Sequence, residues 1–151
     1  MTPEFDLAAA HKFFAADCFN RAWELIDKPE RTAEEDQMMI ALNQASIFHW
    51  QNRADRNDKN LSIGYWQASR IRAILGHHEE AKRCAEICLS YTRELEPFYL
   101  GYAYEALARA ASIASNFDEV KLYADQATSQ AALIEDANNR EALLKDLKTI
   151  R

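Results

Sequence analysis

At 151 residues the chain is long enough for one domain with a substantial core, and its 3 glycines and 3 prolines nearly exclude Gly-rich ligand loops and tight-turn architectures. A formal charge of −6 argues against a general nucleic-acid binder, which carries a net basic surface. Three cysteines, an odd number with Cys18 far from Cys84 and Cys88, make no disulfide framework. The opening residues Met1-Thr2-Pro3-Glu4-Phe5-Asp6 lack the basic-then-apolar layout of a signal peptide, and no apolar run approaches the roughly 20 residues that span a bilayer. A reducing cytoplasm, with neither nucleic acid nor membrane as a partner, is the expectation.

Helix formers dominate the long segments. Thr2 is suited to cap a first helix and Pro3 to open it, and Leu7, Phe14, Cys18, Ala22 and Leu25 then mark an apolar stripe running to about Ile26. Lys28-Pro29-Glu30-Arg31 breaks that helix. Thr32 with Glu35 reads as a capping box, and a second helix follows to about Arg53 along Met38, Leu42, Ala45 and His49. The charged, apolar-free stretch Ala54–Asn60 predicts a loop. A third helix spans about Ser62 to Leu75, closed by Gly76 as a left-handed cap, and a fourth about Glu79 to Arg93. Pro97 opens a fifth, ending near Ser115-Asn116, and the sixth covers Asp118 to about Glu135. Asp136-Ala137-Asn138-Asn139 precedes a short last helix with the stripe Leu143, Leu144, Leu147 and Ile150.

A 39-residue echo organises the second half of the chain. Ser62–Ser90 returns as Gly101–Ser129, with Tyr65 on Tyr104, Arg70 on Arg109, Ile74 on Ile113, Glu80 on Glu119, Lys82 on Lys121 and Ala85 on Ala124. Periods of roughly 20–50 residues signal stacked supersecondary units, with atypical units at the ends. The expectation is an all-α, antiparallel helical-hairpin repeat stack of six long helices and a C-terminal capping helix. It forms a single domain with a divergent hairpin at 2–53, repeat units at 62–94 and 97–135, and the cap at 138–151.

The stretches Ala68-Ser69-(x6)-Gly76-(x4)-Ala81-(x6)-Cys88 and Leu107-Ala108-(x6)-Ser115-(x4)-Val120-(x6)-Ala127 resemble the tetratricopeptide repeat (TPR), in which small residues here let paired helices approach closely. The resemblance covers about Ser62 to Ala132 and implies a right-handed superhelix with a concave binding face. Arg72 and Ala111 stand where that family carries a large aromatic, and the period exceeds the family's roughly 34 residues. The whole chain is also similar to a group of small bacterial proteins of like length, through His11-Lys12-Phe13-Phe14, Phe19-Asn20-(x2)-Trp23, His49-Trp50 and Tyr104–Arg109.

The repeat resemblance implies that Ile63, Trp66, Arg70, Ala73 and Ile74 line the concave face in one unit, and Tyr102, Glu105, Arg109, Ser112 and Ile113 in the next. Trp66, Arg70, Tyr102, Glu105 and Arg109 are therefore the candidate partner-binding residues, aromatics giving area and guanidiniums gripping carboxylates. Alternatively, Glu105 and Arg109 form an ordinary intrahelical pair that leaves Arg70 as the one free cation.

A second candidate comes from geometry. His11 and His49 lie 19 residues either side of Glu30, so at about 1.5 Å per residue they reach the same height on adjacent helices. The same count sets Trp66 level with His49, so the two imidazoles and Tyr65-Trp66 are expected at one end, with Asn20, Trp23 and Trp50 near. This is either a polar pocket or a buried interhelical hydrogen bond. Without a third ligand at that level, no metal site is expected. Cys84 and Cys88, one turn apart, read as packing residues, and His77-His78 as exposed.

No nucleophile motif, phosphate loop or paired-carboxylate spacing appears, so no catalytic residue and no cofactor is assigned. The leading expectation is a non-enzymatic module binding a protein or peptide partner. The alternatives are a small-molecule binder or enzyme around His11 and His49, and a self-associating homodimer.

Overall fold

Polar residues at the predicted breaks start most of the helices. The computed structural model describes Thr2 and residues 4–151, with helices α1 (Leu7–Ile26), α2 (Ala33–Gln51), α3 (Asp58–Ile74), α4 (His78–Thr92), α5 (Pro97–Ile113), α6 (Phe117–Ala131) and α7 (Ala137–Leu147). No strand occurs among the described residues. The Thr32–Glu35 capping box is complete, the backbone N–H of each residue bonding the other's side chain at 3.0 and 3.2 Å.

Several boundaries differ from the sequence reading, among them the end of α6, which falls at Ala131 and not near Glu135. Asp6, not Thr2, caps α1, its carboxylate accepting from the Ala9 N–H at 3.1 Å; the expectation for Pro3 lies outside the described residues. The loop before α3 is shorter than its composition implied, because Asn57 accepts from the Asn60 N–H at 2.9 Å and Asp58-Lys59-Asn60 become the first turn of α3. A polar, acidic first turn is what a helix amino terminus favours, so charge alone did not mark a loop. Asp136 likewise caps α7, accepting from the Asn139 N–H at 2.8 Å.

The echo recurs in three dimensions: every bound of α3 and α4 reappears 39 residues later in α5 and α6. So does the turn between them. Gly76 (φ 77°) and Ser115 (φ 57°) both adopt the left-handed conformation. His77 N–H bonds Arg72 C=O, and Asn116 N–H bonds Ala111 C=O, each at 2.9 Å, closing the same helix-terminating motif twice.

Helices pack as neighbouring pairs, α1 with α2, α3 with α4 and α5 with α6, and α7 lies against α5 and α6. Buried alanines at 73, 81, 85, 103, 106, 108, 110, 111, 127 and 131 bring the later helices close together. Gly64 does the same at the α2–α3 contact, where a β-carbon would stand 3.0 Å from Ile47 Cγ1. Buried amides tie the first hairpin on. Asn43 Nδ2 donates to Gln67 Oε1 and Gly64 C=O, both at 3.0 Å, and Gln67 Nε2 donates to Phe19 C=O at 3.1 Å. Ser46 Oγ donates to Ala15 C=O at 2.7 Å within the hairpin.

Candidate functional site

Glu105 organises the contact between α3 and α5. It projects from the middle of α5 and is 0% exposed. Trp66 Nε1 on α3 donates to Oε2 at 2.9 Å, Arg70 Nη2 donates to Oε1 at 3.2 Å, and Arg109 Nε, one turn along α5, donates to Oε1 at 2.8 Å. Two cations and an indole thus satisfy one buried carboxylate, the arrangement such a group requires. The Arg70 guanidinium also rests 5.2 Å from the Trp66 ring centre.

Arg70 is therefore not the free cation of the intrahelical-pair alternative: Glu105 is shared by both arginines. Arg109 is engaged further, its Nη2 donating to Asp146 C=O at 3.1 Å and Thr149 Oγ1 at 2.8 Å. Tyr102 OH donates to Asp146 Oδ2 at 2.9 Å, and Ser112 Oγ bonds Arg151 C=O. Burial first, then the Asp146 carboxylate, push the Tyr102 phenol above its usual range. On α5, then, Arg109 and Ser112 are tied to α7 and the residues after it, as is the Tyr102 hydroxyl, while the Tyr102 ring lines a cavity on its other side.

The face remains open nearer α3. Trp23, Trp66 and Tyr102 stand in a row across α1, α3 and α5, with ring centres 5.6 and 5.4 Å apart. Beside them lies a 260 Å³ cavity lined by Ser62, Ile63, Trp66, Cys88, Phe98, Tyr99 and Tyr102. Phe98 meets Tyr102 edge to face at 5.1 Å, and Lys59 Nζ stands 5.1 Å from the Tyr99 ring centre at the rim. Ile63 also lines a second cavity of 190 Å³, with Ala16, Phe19, Asn20, Trp50, Asn60 and Gly64, so the two adjoin along α3. On the opposite side of α3, between α2 and α4, lies a 490 Å³ groove lined in part by Ile47, Gln51, Tyr65, Arg72 and Cys84.

The imidazoles meet as their heights required. His11 Nδ1 and His49 Nδ1 are 2.9 Å apart, flanked by the Phe14 and Phe48 rings. Burial, then the neighbouring imidazole, lower the His49 pKa. The rest of the second candidate does not assemble around them. Asn20 and Trp50 line the 190 Å³ cavity without either histidine, Trp23 packs on Trp66, and Tyr65 stacks on Tyr91 at 5.9 Å on the other side of α3. Equal height does not give equal direction: consecutive helical residues point about 100° apart.

Burial raises the Cys84 thiol and pushes that of Cys88 up to about 12, so neither supplies a thiolate near neutrality. His77 and His78 are exposed. Among the described residues no three His, Cys, Asp or Glu side chains gather as a metal centre requires, and no helix is long and apolar enough to cross a membrane.

Comparison with protein-family models, curated proteins and solved structures gives no match to this chain. The site rests on its geometry.

Phe98, Tyr99, Ser62 and Cys88 of the aromatic cavity were not among the candidates read from the sequence. A signal existed in Phe98-Tyr99-(x2)-Tyr102, which puts three aromatic rings in the first turns of one helix. Asp146 carried none, because its role depends on where α7 docks.

Proposed function

We propose that this chain is a TPR-like helical-repeat module, non-enzymatic, that holds a peptide segment of a partner protein along the inner face of α1, α3 and α5. One observation carries the reading. The aromatic cavity of Trp66, Phe98, Tyr99 and Tyr102 adjoins the Asn20–Trp50 cavity through Ile63, giving a strip of apolar walls and spaced polar groups. Rigid aromatic walls give contact area at low entropy cost, and side-chain amides such as Asn20 and Asn60 suit a peptide backbone. Trp66 and Tyr102 remain the proposed contacts among the groove residues. Arg70, Glu105 and Arg109 are assigned to holding those rings in place. A reducing cytoplasm suits a chain whose three cysteines are free thiols.

The test is selection of a displayed random-peptide library on the intact protein, with affinities of resynthesised peptides read by fluorescence anisotropy. Bound peptides are expected to lose at least tenfold in affinity against Ile63→Asp or Tyr99→Ala, with helicity retained by circular dichroism. Failure to select any peptide, or unchanged affinity in both variants, overturns the reading.

A further inference from the structure

Arg109 and Ser112, on α5, are held by the chain's own C-terminal segment, and the two parts of that segment are attached differently. Leu143 of α7 is fully buried with Ala131 and Ile134, so α7 is fixed to the stack. Beyond Leu147, where α7 ends, the attachment changes to hydrogen bonds at the surface. Arg109 Nη2 donates to Thr149 Oγ1 at 2.8 Å and Ser112 Oγ donates to Arg151 C=O, both in exposed positions. Lys148, Thr149 and Arg151 are exposed, and Ile150 is half-buried. Exposed hydrogen bonds contribute little net, so these last residues open at low cost while α7 stays docked.

What they occupy is the outward side of a cation. Arg109 grips Glu105 Oε1 with Nε at 2.8 Å and Nη2 at 2.7 Å, and Nη2 also reaches Asp146 C=O and Thr149 Oγ1. A neutral hydroxyl is a weak partner for a guanidinium; a carboxylate in its place makes a charge-assisted bond about twice as strong. The surroundings favour an acid. Across residues 145–151, Lys145, Lys148 and Arg151 stand against Asp146 alone, although the whole chain carries a charge of −6. Both nearby carboxylates are already bonded, Asp146 to the Tyr102 hydroxyl at 2.9 Å and Glu105 to Arg70 and Arg109.

We propose that residues 148–151 are a displaceable strap: an Asp or Glu of the bound peptide takes the place of Thr149 on Arg109, and the strap lifts from Ser112. This rests on the peptide-binding reading above and adds to it the charge class of the peptide and a competitor built into the chain. Arg109 lies seven residues beyond Tyr102 on α5, about 10 Å at 1.5 Å per residue. An extended peptide covers that distance in about three residues, which sets the spacing between the acid and the residue beside the Tyr102 ring.

The experiment uses the selected peptides on the full chain. They are expected to share one Asp or Glu whose replacement by Asn or Gln lowers affinity roughly tenfold. Thr149→Ala and Ser112→Ala each remove one strap bond and are expected to raise affinity roughly threefold to tenfold. A rise is the discriminating sign, because a variant that merely loosens the fold lowers affinity. Peptide addition should also drop the amide order parameters of Thr149 and Ile150 from a rigid value near 0.85 towards about 0.6, with Leu143 unchanged.

Peptides that need Ile63 and Tyr99 yet share no acid, bind both strap variants no better than the wild type, or leave Thr149 and Ile150 ordered overturn the strap and leave the peptide-binding reading intact. If no peptide is selected, or if the peptides are indifferent to Ile63→Asp and Tyr99→Ala, both fall together.

Discussion

The two junctions between hairpins are glued by different chemistry. Between the first and second hairpins the buried polar groups are neutral: Asn43 and Gln67 join Gly64 and Phe19 carbonyls on three helices. Between the second and third they are charged: Glu105 draws in Trp66 and Arg70 from α3 and Arg109 from α5, and Arg109 reaches on to α7. The neutral junction sits between two openings, the 190 Å³ cavity and the 490 Å³ groove on either side of α3. The charged junction is embedded in alanines and covered by the C-terminal helix. Short amides can fix register without closing the space around them, whereas a carboxylate tolerates burial only when its counter-charges surround it. Each junction keeps room beside it: the charged one borders the 260 Å³ aromatic cavity through Trp66, and the neutral one borders the 190 Å³ cavity through Phe19 and Gly64.

The sharpest way to break this contrast is Glu105→Ala. It leaves Arg70 and Arg109, only 17% and 15% exposed, facing each other without a counter-charge. The expected loss is about 3–5 kcal/mol in urea denaturation, nearer the lower figure as the arginines turn outward. Gln67→Leu is the matching change at the neutral junction. Phe19 C=O loses its donor while Asn43 keeps Gly64 C=O, and the expected loss is about 1–3 kcal/mol. If Gln67→Leu costs more than Glu105→Ala, the assignment of roles to the two junctions is reversed.

Most of the architecture was legible because helical periodicity and the 39-residue echo are local signals. The all-α hairpin stack follows from amphipathic stripes and from caps such as Thr32–Glu35, and equal chain distance from a turn set His11 against His49. Three things were not legible, each for a physical reason. Direction around a helix separates Tyr65 from Trp66 although they are neighbours, and sequence distance from a turn carries only height. The Glu105–Arg109 spacing looks the same on a surface as in a core; the depth of Glu105 comes from Trp66 and Arg70, 39 and 35 residues away. The capping helix was expected, but not that it would take Tyr102 and Arg109 out of the groove, which hinges on Gly101 admitting Leu143, a close approach that periodicity does not encode.

The smallest effect tests the first hairpin itself. An Nδ1–Nδ1 contact at 2.9 Å needs one imidazole to donate and the other to accept, so at least one ring is neutral in the fold. Burial, with His11 second, holds His49 below its ordinary pKa, whereas in the unfolded chain it titrates near 6.5. On acidification the unfolded state therefore binds a proton that the folded state resists. This contribution is complete above about pH 7.5 and is lost as pH falls through 6.5 towards 5. Asp55, held at about 2 by Arg53, stays ionised across that window and does not contribute to the slope. Relative to His49→Phe, which keeps a ring against Phe14 and Phe48, the wild-type chain should lose roughly 2 °C more in Tm between pH 7.5 and 5. Parallel Tm profiles would show that the contact carries no proton-linked energy. A larger drop in the wild type, with the Glu105 and Gln67 variants following its pH course, would confine acid sensitivity to the hairpin outside the repeat.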